Sequence, residues 1–352
     1  MISETDVRFP DIPFRKTAIL IIVGLVLYFG YLYLVGFETV KEQLARVNLW
    51  LVLLAVAVSL CSNVFHAAGW WVLLRHLKYK ISLGWAYIIY LSSIFFTNLV
   101  PSAAVSGEIG KIYFIQKSVP DTRVDRTFAA GLFSRLLEVV PTATGAILGV
   151  AYLALYYDLP LWAITLCAMI AVSIAMGALF VLAISMNVKL LQSTANAVLG
   201  VVAAVFKGRN MDGVRTKVGA LVTQYDRSIR EISASKTLVV KSLALIYAAW
   251  FFDVSVAYIA FAAIGYDIPV GVVMTIYSMM VLVTLIPAFI PGGLGYVDGL
   301  MNVLYSLAGV NKNDAFSGTF VIRFVTLWFL TAVGGLCTLY LARATGKERP
   351  GP

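Results

Sequence analysis

The chain predicts an all-α polytopic membrane protein: about six full transmembrane helices plus two re-entrant helical hairpins, arranged as inverted repeats. Three observations predict it. The 352 residues are 61% hydrophobic and 13% charged, about half the charged share of an ordinary soluble domain, so polar groups cannot cover a water-facing surface. Uncharged stretches run over 17–37, 47–74, 81–107, 139–157, 159–188, 268–297 and 324–342, each at least 19 residues long, and a helix needs roughly 20 to cross the hydrocarbon. Two of the apolar segments also carry the same pattern of proline, acid and arginine.

Taken in order, residues 1–16 hold six charges and two prolines before the first apolar run. That is no cleavable signal peptide, and 17–37 reads as a retained first helix. Full spans are expected at about 17–37, 49–74, 127–157, 160–186, 237–265 and 315–342. Between spans two and three, and again between five and six, lie long apolar segments at 81–118 and 268–310. Each is read as a hairpin that enters and leaves on one side, over about 84–118 and 272–309. The first inverted repeat is then 15–157, and the second is 160–186 plus 237–342.

Charge placement fixes the expected orientation. With both hairpins re-entrant, the two termini and the segments 75–80, 117–126 and 187–236 share one side and hold 20 of the 27 Lys and Arg. The opposite loops hold three: Lys41, Arg46 and Lys312. This positive-inside split makes the basic side cytoplasmic, with both termini there, in a cell (plasma or inner) membrane. The net charge of +9 therefore points to a membrane surface, not to nucleic acid. The connector 187–236 carries eight Lys/Arg against three acids, and Val214, Val218, Leu221, Val222, Tyr225, Ile229 and Ile232 form one helical face. It reads either as an amphipathic helix on the anionic inner leaflet or as a solvated link between the halves.

Other classes fall away. Cys61, Cys167 and Cys337 lie scattered in apolar runs and read as core filling. With only two histidines, no metal site is expected. No phosphate-binding glycine loop is present, no cofactor is implied, and no polar segment is long enough for a sizeable soluble domain.

The repeat carries the most information. Pro101 and Pro291 are each followed seven residues on by an acid, Glu108 and Asp298; Arg135 and Arg323 follow those acids by 27 and 25 residues. The prolines, with Gly292, Gly293 and Gly295, predict breaks in the helices, and irregular backbone at membrane depth needs protein or a water-filled cavity around it. Under the charge topology the two copies have opposite orientation, as in secondary transporters built around one central site. Glu108, Arg135, Glu138, Asp253, Asp298 and Arg323 sit in or beside apolar runs, where each charge costs roughly 2.5–3.5 kcal/mol to insert. Two readings stand together. Glu108–Arg135 and Asp298–Arg323 are interhelical clamps, or the arginines receive a phosphate in a shared cavity while the acids compete with it or carry a proton. His66 reads as an interface residue or a proton relay, and Asp253 has no repeat partner.

The P-G-G-L-G run with its following acid (Pro291 to Asp298) and Arg323 resemble the flippase-like membrane region of the lysylphosphatidylglycerol synthases. So do Pro101, Glu108, Lys111 and the R-L-L-E at Arg135–Glu138. The resemblance covers about 15–342 and departs at Asp298, where the family's acid is usually Glu. It does not include the soluble aminoacyl-transfer domain, so a stand-alone member is expected. It implies translocation of a phospholipid or a polyprenyl-phosphate-linked lipid between leaflets. Arg135, Arg323, Glu108, Asp298, Lys111 and Glu138 are then the candidate substrate-binding residues, and an anionic lipid or lipid-linked molecule is the partner. None of them is assigned a catalytic role, and the oligomeric state is left open. The alternatives are a membrane-embedded transferase acting on a lipid phosphate, with Glu108 or Asp298 as base, or a non-catalytic partner of a lipid-modifying enzyme.

Overall fold

The computed structural model describes residues 47–100, 105–120, 122–156, 225–284 and 291–346, with single helical positions at Thr165, Met169, Val172, Met176 and Ser193. The expected spans at 17–37 and, apart from four of those positions, 160–186 fall outside the described residues. So do Pro101 and the connector up to 224, apart from Ser193. The described residues form helices and connecting turns, without strands.

Helix α1 runs Leu49–His76, α2 Leu83–Leu99, α3 Val105–Ser118, α4 Val124–Tyr156, α5 Lys236–Ala263 and α6 Val270–Thr284. A 3₁₀ turn at Pro291–Gly293 precedes α7, Tyr296–Leu307. Helix α8, Lys312–Arg323, runs through a π-helical segment, Phe324–Phe329, into α9, Leu330–Gly346. Four of these rods are long and apolar enough to span a bilayer: Leu49–His76, Val124–Tyr156, Lys236–Ala263 and Lys312–Thr345. They match four of the six spans read from the sequence. The helices start where polar side chains satisfy first-turn amides. Asn48 Oδ1 accepts from the N–H of Trp50 at 3.0 Å, Ser82 Oγ from Trp85 at 3.2 Å, Ser235 Oγ from Leu238 at 3.4 Å, and Asn311 Oδ1 from Asn313 and Asp314 at 3.0 Å each.

The outer faces of the rods stay apolar: Leu49, Trp50, Leu155, Val240, Phe251 and Leu336 are exposed, a surface that hydrocarbon, not water, satisfies. Cys61 belongs to this outward face. It does not fill the core as expected, because its position on α1 points away from the helices packed behind it.

Three antiparallel helix pairs organise the bundle. In α1 and α5, Asn48 N–H donates to Ala263 O at 2.8 Å, Ser62 Oγ to Ala249 O at 3.1 Å and Ser242 Oγ to Gly69 O at 3.0 Å. In α2 and α9, Ser92 meets Thr338 at 2.8 Å, and Asn98 Nδ2 donates to Thr331 Oγ1 at 2.8 Å. In α4 and α6, Gly145 and Gly149 lie one turn apart, and a Cβ on either would collide with Ser278 or Thr275. Small residues at this spacing let two backbones approach closely where the solvent is as apolar as the side chains.

Two core clusters lie toward opposite ends of the long helices α1, α4 and α5. One joins the end of α1 (Trp70, Leu73, Leu74), the start of α2 (Ala86, Ile89), the end of α3 (Phe114, Ile115) and the start of α4 (Ala129, Ala130, Phe133). The other joins the end of α4 (Leu153), the end of α5 (Ala260, Phe261), the start of α6 (Val272, Val273), the end of α7 (Tyr305) and the start of α8 (Ala315). So α2 starts and α3 finishes at one end of the bundle, while α6 starts and α7 finishes at the other. Residues 225–234 are helical, and Tyr225, Ile229 and Ile232 pack into the first cluster. In this described part of the connector, the bundle covers the apolar stripe.

Candidate functional site

Helix α3 begins just after residue 104 and carries Glu108 in its first turn, with Lys111 one turn further on the same face. Helix α4 presents Arg135 and Glu138 at the same spacing. The two faces meet at one carboxylate oxygen. Glu108 Oε1 accepts from Arg135 Nε at 2.7 Å and from Lys111 Nζ at 2.9 Å. Lys111 is 2% exposed, and its ammonium also lies 4.7 Å from the centre of the Tyr90 ring and 5.3 Å from that of Trp70. An ion pair and two ring faces replace the water that a buried ammonium loses.

A second set of charges adjoins this one. His66 of α1 lies between two carboxylates: its Nε2 is 3.0 Å from Asp253 Oδ2 on α5, and its Nδ1 is 3.6 Å from Glu138 Oε1 on α4. Ser62, one turn before His66, hydrogen-bonds Asp253 Oδ1. The His66 ring stacks on Tyr90 of α2 with centroids 5.9 Å apart, and Tyr277 of α6 reaches Asp253. Six helices therefore supply one polar group. Its members differ in access. Side-chain exposure is 2% and 6% at Lys111 and Glu108, but 27% at Arg135, 24% at Glu138, 19% at Asp253 and 16% at His66. The Lys111–Glu108 half is packed shut, and the Arg135–Glu138–His66–Asp253 half is partly exposed.

The other repeat element is built differently. Gly292, Gly293 and Gly295 have φ of 56°, 67° and 82°, the left-handed region where a Cβ is strained, so the P-G-G-L-G run turns the chain sharply ahead of α7. Asp298, in the first turn of α7, accepts from the Gly295 N–H at 2.8 Å with Oδ2 and from Arg323 Nε at 2.8 Å with Oδ1. Arg323 Nη2 donates to Gly292 O. One guanidinium thus ties both ends of the turn to α8. The crevice beside it, between Leu294, Phe316, Thr319, Phe320 and Trp328, has a volume of about 10 Å³, the size of one water molecule and too small for a phosphate.

The structure brings the acid–arginine pairs of the two repeats together as expected, at spacings of 27 and 25 residues, and it adds Lys111 and Glu138 to the first. It does not bring the two arginines to one shared cavity among the described residues. Arg135 belongs to the partly exposed group, and Arg323 is enclosed in the turn. Sequence reading left His66 and Asp253 unassigned and missed Tyr90, Tyr277 and the π-helical segment after Arg323. Such a segment commonly marks a functional position. The available signal was that His66 and Asp253 are a lone imidazole and a lone acid, each inside a long apolar run. Among the described residues no group of His, Cys, Asp and Glu is arranged to hold a metal.

Comparison with known proteins agrees with the motifs. Residues 17–334 match the model of the lysylphosphatidylglycerol synthase TM region. The chain is 25% identical over 334 residues to a UPF0104 membrane protein of Methanothermobacter thermautotrophicus, covering 95% of this chain and 98% of that one. It is 24% identical over 331 residues to a UPF0104 membrane protein of Pyrococcus horikoshii, covering 92% and 97%. These relatives are matched along almost their whole length, so the likeness extends over the entire helical bundle. With that match over most of its length, this multi-pass membrane protein belongs to the family of the lysylphosphatidylglycerol synthase TM region.

Proposed function

We propose that the protein moves an anionic phospholipid or a polyprenyl-phosphate-linked lipid from one leaflet to the other, without changing it chemically. The observation that carries this reading is the half-open polar group at Arg135. An arginine fork suits a phosphodiester, and here it is partly exposed and held on its inner side by Glu108, which leaves its outer side to an incoming phosphate. A resting pair of this kind keeps the empty site stable in an apolar surrounding.

In this reading α2–α3 and α6–α7 are re-entrant hairpins entering from opposite sides, related as inverted repeats, with the basic side and both termini cytoplasmic. Three features support it. The entry and exit of each hairpin meet: Tyr79 Oη donates to Arg123 O at 3.0 Å, and the ring centroids of Phe261 and Tyr305 lie 4.6 Å apart. The tips approach each other, since a Cβ on Gly292 would lie 3.6 Å from Asn98 O. With both hairpins re-entrant, 20 of the 27 Lys and Arg fall on one side. Lys111 and Glu108 then fix the inner wall of the site, and Glu138 faces the head group beside Arg135. Asp298 and Arg323 hold the second tip in shape.

Reconstitution of the purified full chain in liposomes carrying fluorescent phosphatidylglycerol tests the reading. Faster exchange between leaflets than in protein-free vesicles, with the lipid recovered unchanged, is the expected result. A new lipid product would establish a transferase instead, and exchange equal to that of empty vesicles would overturn the proposal for this lipid class.

A further inference from the structure

The charges around His66 do not balance without a proton. Among the described residues facing the group, Lys111 and Arg135 are fixed cations, while Glu108, Glu138 and Asp253 are acids. Tyr90 and Tyr277 complete the lining from α2 and α6, and Ser62 adds a hydroxyl from α1. Two positive charges face three negative ones, and a proton on His66 brings the sum to zero. A polar group inside an apolar bundle is held near neutrality because an uncompensated charge there is strongly disfavoured. An anionic head group arriving at Arg135 adds one negative charge and upsets that balance.

The geometry shows where a compensating proton would go. As an imidazolium His66 carries a proton on both ring nitrogens: Nε2 is engaged with Asp253, and the buried Nδ1 has no hydrogen-bond partner, so a further proton must go to an acid. The nearest acid on that side is Glu138 Oε1 at 3.6 Å, one helical turn beyond Arg135 on the same helix. Glu138 is also the most exposed of the three acids, which makes it the most accessible of them to an incoming proton.

We propose that binding of a phosphodiester head group at Arg135 is coupled to uptake of one proton by the His66–Glu138–Asp253 triad, so that anionic lipid and proton cross together. The step balances. The lipid brings one negative charge, the proton converts the Glu138 carboxylate to a neutral carboxyl while His66 stays an imidazolium, and both leave together on the far side with the group restored. Transport by this cycle is electroneutral, driven by a pH gradient and indifferent to membrane potential. The inference rests on the lipid-transport reading above.

Calorimetry of the full chain in detergent separates the two ideas. Dihexanoyl phosphatidylglycerol is titrated near pH 7 in PIPES and in Tris, phosphate-free buffers with different ionisation heats. The phosphodiester does not itself titrate there, so protons taken up come to the protein. The expected result is about one proton bound per lipid in the wild type, and markedly fewer in Glu138→Gln and His66→Gln. Binding with the same heat in both buffers overturns proton coupling and leaves the head-group site standing. No binding of this lipid or of dihexanoyl phosphatidic acid overturns the head-group reading and the coupling with it. In wild-type liposomes, a gradient of about one pH unit should enrich labelled phosphatidylglycerol about tenfold in the alkaline-facing leaflet. An even distribution under that gradient overturns the coupling.

Discussion

The Glu108 carboxylate occupies the space that a side chain on Gly131 would fill: a Cβ there would stand 2.1 Å from Glu108 Oε2 and 3.2 Å from its Cδ. Helix α4 therefore passes α3 closely enough for a single oxygen of Glu108 to serve both Lys111 and Arg135. In a packed interior such a contact leaves no slack. Gly131→Ala should cost about 1–3 kcal/mol by overpacking. In a Glu108→Ala background the same change should cost much less, because the obstructing carboxylate is gone. Thermal melting of the four proteins in detergent gives the coupling directly; equal costs in both backgrounds would mean that the two residues do not compete for this space.

Arg323 and Asp298 should behave as a structural pair. Removing one partner strands a buried charge, at a cost of about 3–5 kcal/mol, whereas replacing both by apolar residues of similar size is far milder. Arg323→Met and Asp298→Leu should each lower the melting temperature more than the double variant does. A double variant worse than either single would point to a role for this pair beyond holding the turn.

Arg135 should behave differently. Arg135→Lys keeps the charge that Glu108 needs but loses the planar fork. It should melt close to the wild type while moving fluorescent phosphatidylglycerol at least about tenfold more slowly, a loss of about 1.4 kcal/mol in transition-state stabilisation. Wild-type transport by Arg135→Lys would exclude fork-like recognition of phosphate at this position.

Tyr79, in the turn between α1 and α2, ties that turn to the start of α4. Its hydroxyl donates to Arg123 O and accepts from Arg123 N–H, each at 3.0 Å. Burial pushes the phenol above its ordinary range, although hydrogen bonds oppose this. A folded-state value above the unfolded one means that the contribution is fully present below about pH 10 and fades as pH rises through the folded value. Tyr79→Phe should lose about 1–2 kcal/mol at neutral pH, and its stability should fall less steeply than that of the wild type in alkaline solution. Parallel alkaline melting curves would show that this hydroxyl is not the titrating group.

Composition and spacing alone determined the spans at 49–74, 127–157, 237–265 and 315–342, because the length of an uncharged run is a local property that the hydrocarbon thickness converts directly into a helix. The pairing of Glu108 with Arg135 and of Asp298 with Arg323 was legible for a similar reason. A charge in an apolar run needs a partner, and the repeated interval offers one. Tertiary structure decided the rest. His66 meets an acid 187 residues away, and no periodicity encodes that contact; it exists because α1 and α5 pack antiparallel. Which arginine is more exposed depends on the crowding around each, on Gly131 leaving room for Glu108 beside Arg135 and on the narrow crevice that Phe316, Phe320 and Trp328 line beside Arg323. Sequence spacing selects which charges can pair, whereas access to a pair follows from how whole helices fill the volume around it.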